Sequence, residues 1–424
     1  MKQKILVIGS GGREHAIARA FSESQWVSKV YVAPGNPGMT LGGEGIIECV
    51  PIEVTAIEEL AAFVKEEGIS VTFVGPEQPL ELGIVDYFNQ HKLAIVGPTQ
   101  IAAQLENSKW FAKKIMAEAK VQTAKYKYFA SEDFQMALNY CRELGLPCVI
   151  KADGLMAGKG VVIPETLIEA EAALQQMMVT NQKSVLIEEF LVGMEFSHFS
   201  LVNDEHIISL GSACDYKRVF EFDKGANTGG MGAFAPVPWV DQVLNQQIID
   251  EIVSPVAKEM VNQGTPFTGI IYTGIILTAT GPKVIEFNTR LGDPETQILL
   301  PLFESDFYEI IEAHLQKLPF EVQLKNQTNL GIVLAAAGYP AECKTNIPIT
   351  VPVNLQKQVF FAGVGGETEA LYSTGGRILM MTSSSSDLAL AREQAYHQLS
   401  QLKIEDTFYR QDIGLHRELK GVIS

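Results

Sequence analysis

Glu286, Asn288 and Arg290 stand two apart in the run Val284-Ile-Glu-Phe-Asn-Thr-Arg-Leu-Gly-Asp-Pro-Glu295. Read as a strand, the run puts all three side chains on one face, because alternate strand residues point the same way. A carboxylate and an amide oxygen so placed are hard donors suited to Mg2+, which takes oxygen ligands and keeps water or phosphate in its shell. A guanidinium two residues on can grip a phosphate or a carboxylate with two parallel bonds. Leu291–Glu295 then supplies a turn with Gly, Pro and further acid, as where a strand hands chemistry to a loop. The bland alternative is an edge strand whose polar face meets water.

Four other stretches have the residue types for phosphate, nucleoside or anion work. Pro147–Ile163 reads as a strand carrying Lys151, a turn with Gly154, Gly158, Lys159 and Gly160, and a returning strand. Such a hairpin can act as a lid whose amides cover phosphates. It is not a Walker A loop, since three residues separate Gly154 from Gly158 and a glycine follows Lys159. Asn107-Ser108 opens a helix with Lys109 in its first turn. Ser184–Ser197 reads as a strand ending in acid. There Glu188 or Glu189 can accept from an adenine amino group, the Phe190–Leu191 backbone can read the ring edge, and Glu195 can bind ribose hydroxyls; solvated glutamates are the alternative. Gly225–Gly232 has too many glycines for a helix or strand and is long for a plain turn, so its amides are candidates to clasp an anionic substrate. His198 and His206 lack metal spacing and read as ordinary strand residues.

The elements that must position these residues begin with Lys4–His15, a buried strand, a glycine turn and a helix from about Arg13. This is the opening of an α/β unit whose loop amides face an anion. The dinucleotide fingerprint fails, because Glu14 stands where its third glycine belongs. A small phosphorylated substrate suits the loop better than a nicotinamide. Strands at Val30, Val71 and Ala94, with the helical pattern Ile57–Glu67 between, imply a doubly wound parallel sheet. Ligands of such sheets sit at the carboxyl ends of the strands, where Pro34–Gly38 and Gly75–Glu77 fall. Gly269–Thr278 pairs antiparallel with the Val284 strand around a turn at 279–282. After Leu318 a linker leads to strands at Gly331–Pro340 and Gly375–Met381, a serine loop at Ser383–Ser386, and a helix to Leu402.

A length of 424 residues suits two to four such units. The net charge of −17 argues against a general nucleic-acid or anionic-membrane binder, without excluding a local basic pocket. Five scattered cysteines with no C-x-x-C suggest a reducing compartment and neither a zinc site nor a disulfide framework. The apolar run Ile5–Ile8 is too short for a signal peptide, and no stretch approaches the ~20 apolar residues of a membrane span. The expected location is the cytoplasm.

In this order the lysine-glycine hairpin, the Glu188-Glu189-Phe-Leu hinge and the Glu286-Phe-Asn-x-Arg strand closely resemble the ATP-grasp ligases. Within them the chain resembles the phosphoribosylamine–glycine ligase (glycinamide ribonucleotide synthetase) family. The likeness runs over essentially the whole chain: Gly9-Ser-Gly-Gly-Arg-Glu-His-Ala, Val32-Ala-Pro-Gly-Asn-Pro-Gly, Val74-Gly-Pro-Glu, Ile150-Lys-Ala-Asp-Gly-Leu, Ala157-Gly-Lys-Gly-Val, Asn227-Thr-Gly-Gly-Met-Gly and Glu286–Gln297. Departures are Met156 in the lysine-glycine loop, Ser212-Ala-Cys-Asp-Tyr-Lys-Arg in place of Ser-Gln-Asp-His-Lys-Arg, and Phe196 and His198 beside Glu195. They leave Asp215 and Lys217 intact and bear on the contacts of Cys214 and Tyr216.

The resemblance implies an N-terminal doubly wound domain over 1–103 and a two-lobed α+β ATP-grasp fold. The latter has a central domain over 104–124 and 190–327 and a lid over 125–189, and a small α/β domain over 328–424 follows. It implies that ATP, with Mg2+ or Mn2+, converts glycine to glycyl phosphate, which the amine of 5-phosphoribosylamine attacks to give an amide. On this resemblance Glu286 and Asn288 hold metal, Arg290 the migrating phosphate or acyl intermediate, and Lys109 and Lys151 the ATP phosphates. The 154–160 loop is the lid, and Glu188, Glu189 and Glu195 with Phe190 and Leu191 face the nucleoside. Gly11, Gly12, Arg13 and Glu14, with Asp215, Lys217, Asn227, Thr228, Gly229, Gly230, Asp293 and Pro294, form the phosphoribosylamine and glycine side. Arg290, Lys151 and Asp215 are the catalytic candidates. A monomer or weak homodimer is expected, with no nucleic-acid or membrane partner. The rival readings are another ATP-grasp carboxylase or formate-using ligase, a nicotinamide oxidoreductase, and a non-catalytic nucleotide-binding regulator.

Overall fold

The protein is seen here as a computed structural model that describes residues 2–42, 45–154 and 160–415. Strands β1 (Gln3–Gly9), β2 (Val27–Pro34), β3 (Ile47–Cys49), β4 (Val71–Val74) and β5 (Ile95–Val96) form a parallel sheet in the order β3-β2-β1-β4-β5. β1 is central, and Ile5 to Ile8 are wholly buried. That is why its apolar run is continuous rather than alternating: both faces of the sheet are covered. The helix Gly12–Ser22 starts three residues after β1 ends, so its first turn lies at the carboxyl edge of the sheet.

A second, smaller sheet is built from β6 (Tyr126–Phe129), β7 (Cys148–Ala152), β8 (Val161–Val162) and β9 (Val185–Glu189), in the order β6-β9-β7-β8. The helices Phe134–Leu144 and Leu167–Leu174 pack on it, and Phe129, Leu138, Cys148, Ile150, Leu174 and Ile187 close an apolar core of its own. β7 and β8 are the expected hairpin, with Lys151 opposite Val161. Met156, Gly158 and Lys159, expected in its loop, lie outside the described residues.

The large sheet uses β10 (Met194–Asn203), β11 (His206–Asp215), β14 (Gly232–Ala235), β15 (Thr268–Thr278), β16 (Gly281–Asn288), β17 (Thr328–Ala336), β19 (Val359–Phe361) and β22 (Arg377–Ser385). Its order is β16-β15-β10-β11-β14-β17-β22-β19, with β23 (Thr407–Phe408) beside β17. The hairpin β12 (Arg218–Phe220) with β13 (Lys224–Asn227) stands off it, as does the small sheet of β18 (Pro348–Ile349), β20 (Val364–Glu367) and β21 (Ala370–Ser373). The pairing of β14 with β17 carries the main-chain ladder from the central region into the C-terminal one.

Three local expectations are corrected. Residues 224–227 are a strand despite their glycine content: Gly225 takes φ +81, where Phe220 and Val219 occupy the space of a Cβ. Ser383–Ser385 continue β22 rather than forming a loop, because pairing with Thr328–Leu330 and bonds from Ser383 to Gln394 and from Ser384 to Asn329 outweigh the weak strand preference of serine. Arg290 does not share a strand face with Glu286 and Asn288. The strand ends at Asn288, since the Thr289 N–H and hydroxyl both donate to Glu106, at 2.8 and 3.0 Å, and leave the ladder.

Candidate active site

β9 and β7 run antiparallel, so Glu188 and Lys151 meet above the end of β16. Lys151 Nζ lies 2.9 Å from Glu188 Oε2, and Lys113 Nζ lies 3.0 Å from Glu188 Oε1. All three are buried. Lys113 also donates to Thr123 Oγ1 at 2.6 Å, and Lys151 to the carbonyl of Ile285 at 3.0 Å. That carbonyl is free because the β15–β16 register slips at Ile285, a bulge that removes one residue from the ladder. Burial works against the Glu188 charge, but the two ammonium groups overcome it and hold the carboxyl below its usual range. Burial pushes Lys113 down to about 8, with Glu188 opposing.

Lys109 occupies the first turn of the helix Lys109–Glu118, whose N-terminus is bound twice: Ser108 accepts from the Phe111 N–H, and Asp153 accepts from the Lys109 N–H at 2.7 Å. Its Nζ donates to the carbonyl of Gly154 at 3.0 Å. Burial lowers its pKa, while Glu286 pulls the other way. Lys109, Lys113 and Lys151 thus gather as expected for two of them. Lys113 was missed, although one helical turn from Lys109 is the position that shares its face. Glu188 is engaged by lysines, and Glu189 accepts from the Lys125 N–H at 3.0 Å and lies 3.7 Å from Lys283. Phe190 and Leu191 link β9 to β10, with the Phe190 ring exposed.

Glu286 and Asn288 lie on one face of β16, opposite Gly274 and Tyr272. Among the described residues neither side chain makes a hydrogen bond or ion pair, so their oxygens keep their lone pairs. No group of three or more His, Cys, Asp or Glu that could hold a metal occurs among the described residues. A carboxylate and an amide oxygen side by side are hard donors of the kind that suit a magnesium-type ion, which takes the rest of its shell from water and phosphate. Arg290 sits in the turn beyond, 3.2 Å from Glu106 and 3.3 Å from Glu77. Burial opposes its charge, but Glu106, Glu77 and Glu295 hold the guanidinium more firmly protonated than usual.

The other half of the site joins all the large units. Glu14 accepts from the Gly11 N–H at 2.7 Å and from Arg13 Nε at 2.6 Å, so one amide of the glycine turn already has an anion. Arg13 reaches on to the carbonyl of Leu291. Asp293 accepts from Gln297 Nε2 and from Arg377, both at 2.7 Å. Gly230 takes φ +113 with Pro294 Cδ 2.3 Å from where a Cβ would stand, so only glycine lets these two loops touch. Gly229 is held at both polar atoms, its carbonyl by Arg377 and its N–H by the Tyr339 hydroxyl. Thr228 donates through its hydroxyl to the Lys217 carbonyl, and Lys217 Nζ meets Glu195 Oε1 at 2.5 Å. Burial opposes the Lys217 charge, but Glu195, Tyr272 and Asp215 hold it well above the ordinary range. Glu195 thus faces a lysine, Asp215 ends β11, and Asn227 ends β13. Glu295, not singled out in the sequence, is buried beside Ser197. Burial and then Asp215 push its carboxyl up to about 7. Arg377 and Tyr339 were also missed. They lie far along the chain, and only the Gly-Gly-Arg377 turn hinted that a basic residue opens a strand there.

Buried lysines set between a small sheet and a larger sheet bearing Glu286 and Asn288 are the plan of an ATP-grasp enzyme. The chain matches the phosphoribosylglycinamide synthetase family models for the N domain over residues 3–106, the ATP-grasp (A) domain over 107–296 and the C domain over 329–416. It is 46% identical over 419 residues to a phosphoribosylamine–glycine ligase of Streptococcus pyogenes, covering 97% of this chain and 98% of that one. The crystal structure of a phosphoribosylamine–glycine ligase from Thermotoga maritima superposes with a TM-score of 0.85 at 30% identity, covering 97% of this chain and 100% of the other. A biotin carboxylase from Campylobacter jejuni in complex with beta-gamma-ATP shares the fold, with a TM-score of 0.73 at 16% identity, over 98% of this chain and 94% of that one. The chain belongs to the phosphoribosylglycinamide synthetase family and is a carbon–nitrogen ligase.

Proposed function

We propose that this ligase of purine biosynthesis joins glycine to 5-phosphoribosylamine through a glycyl phosphate formed from ATP. A carboxylate is a poor electrophile until a phosphoryl group gives it a leaving group. A glycine carboxylate oxygen therefore attacks the γ-phosphorus and ADP departs. The amine nitrogen of phosphoribosylamine then attacks the acyl carbon, inorganic phosphate leaves, and the amide nitrogen gives up a proton.

The observation that carries this reading is the charge count at Glu188. Two buried ammonium groups share one buried carboxylate, which leaves a positive surplus that a polyphosphate would neutralise in a poorly screened pocket. Lys109 and Lys151 take the ATP phosphates, with Lys113 behind them. Glu286 and Asn288 hold Mg2+ or Mn2+, which when bound neutralises charge on the transferring phosphoryl group. Arg290 orients the glycine carboxylate or its acyl phosphate. Glu195, with Glu189 and the Phe190–Leu191 backbone, receives the nucleoside. Gly11–Glu14, Asp215, Lys217, Asn227–Gly230, Asp293 and Pro294 hold phosphoribosylamine and glycine, with Arg377 fixing two of these loops. The enzyme works in the cytoplasm as a monomer or weak homodimer.

Glycine labelled with 18O in its carboxyl group tests the intermediate. One labelled oxygen should appear in the phosphate released with ADP when freshly generated phosphoribosylamine is present. Unlabelled phosphate at full turnover excludes glycyl phosphate, and ADP release that does not need glycine excludes the ligase reading.

A further inference from the structure

Among the described residues Arg410 is the largest wholly buried side chain, and nothing in the reaction outlined above uses it. It belongs to the final described segment, 409–415. Its guanidinium forks onto Asp412, with Nε to Oδ1 at 2.8 Å and one terminal nitrogen to Oδ2 at 2.6 Å. The other terminal nitrogen donates to the carbonyl of Arg218 at 2.8 Å and to Asp223 at 3.2 Å. The same guanidinium lies over the Tyr216 ring, 5.1 Å from its centroid. The Tyr216 hydroxyl in turn accepts from the Gly414 N–H at 2.9 Å and donates to the Leu415 carbonyl at 3.2 Å. Asp412 also accepts from the N–H of Phe222, which with Asp223 takes a left-handed conformation at the hairpin tip (φ 57 and 54).

These contacts all fall on one short stretch. Tyr216 and Arg218 flank Lys217, and the hairpin they begin ends at Asn227, directly before Thr228–Gly230. The segment making the contacts is itself fixed from behind: Tyr396 donates to the Arg410 carbonyl at 2.7 Å, and Arg392 to the carbonyls of Gln411 and Ile413. A planar fork that satisfies a carboxylate and two further acceptors at once is a rigid strut.

We propose that Arg410, braced by Asp412 and seated on Tyr216, is a positioning residue for the amine-accepting half of the reaction, setting Lys217 and the Asn227–Gly230 loop for phosphoribosylamine. This rests on the assignment of that loop to phosphoribosylamine. Its link to the nucleotide side runs through the Lys217–Glu195 pair, whereas the lysines of that pocket stand on other elements.

The test compares Arg410→Gln, Arg410→Lys and Tyr216→Phe with the parent enzyme in steady-state assays, varying ATP, glycine and freshly generated phosphoribosylamine in turn. Arg410→Gln should raise KM for phosphoribosylamine about tenfold while KM for ATP stays within about twofold. Arg410→Lys, which keeps a charge but loses the fork, should fall between. Tyr216→Phe removes only the hydroxyl link and keeps the fold testable should Arg410→Gln not fold. It should shift the same constant by about threefold. Equal losses for ATP and phosphoribosylamine, or a lowered melting temperature with unchanged constants in the folded variants, overturn the proposal. Absence of phosphoribosylamine-dependent turnover in the parent enzyme would instead overturn the functional reading beneath it.

Discussion

Two ammonium groups against one carboxylate make the Glu188 pocket sensitive to pH in a definite direction. Lys113 gives up its proton near pH 8 in the folded chain, against 10.5 for the free group. Between those values the folded state binds fewer protons than the unfolded one, so stability rises with pH across that window while the pocket loses positive charge. KM for ATP is therefore expected to climb above pH 8, and Lys113→Arg, which keeps its charge, should flatten that limb. An identical rise in the arginine variant would remove Lys113 from the account. Glu286→Ala should lower kcat by about 100-fold or more, because the only free carboxylate on that face of β16 is lost. Circular dichroism should stay unchanged, since Glu286 makes no hydrogen bond or ion pair among the described residues. Near-normal turnover in saturating Mg2+ contradicts its role.

Asp153 directly follows β7 and at the same time accepts from the first N–H of the helix that starts at Lys109. The β7–β8 hairpin and the first turn of the Lys109 helix are thus tied to one another. Asp153→Ala should cost about 1 kcal/mol of stability, as the loss of a helix cap does. Faster hydrogen exchange at Lys109 and Trp110 and a several-fold higher KM for ATP should accompany it; unchanged exchange there would show that Ser108 caps the helix alone. At this scale the sequence was most legible where a pattern is local. The run Ile5–Ile8, the helix Ile57–Glu67, the hairpin around Lys151 and the antiparallel pair ending at Asn288 all stand where spacing placed them. Arg290 was misread because alternation along a strand carries no sign of where the ladder stops. The stop is imposed by Glu106, more than 180 residues earlier in the chain. Ser383–Ser385 and Gly225 were misread for a similar reason: a partner strand or a packed aromatic ring decided against composition.

For the molecule as a whole, the β14–β17 pairing makes the C-terminal region a continuation of the central sheet. A chain ending at Gln327 leaves β14 with an open edge and uncovers Ala233 and Phe234, an invitation to association. Such a chain should run as aggregate on size exclusion and show no cooperative melt. A monomeric, sharply melting product would mean that the first 327 residues fold without the remainder. The family likeness was readable from motifs in order, whereas the joining of distant segments was not. Arg377 and Tyr339 reach Gly229 across more than 100 residues, and Arg410 reaches Arg218 across more than 190. No periodicity records such meetings.

The small sheet around Ile150 and Ile187 keeps an apolar interior of its own. Its seam with the helix Lys109–Glu118 is part ionic, through Glu188 and two lysines, and part aromatic, through Trp110 stacked on Tyr128. If the small sheet moves as one body during turnover, nucleotide release should follow the viscosity of the medium more closely than the concentration of urea.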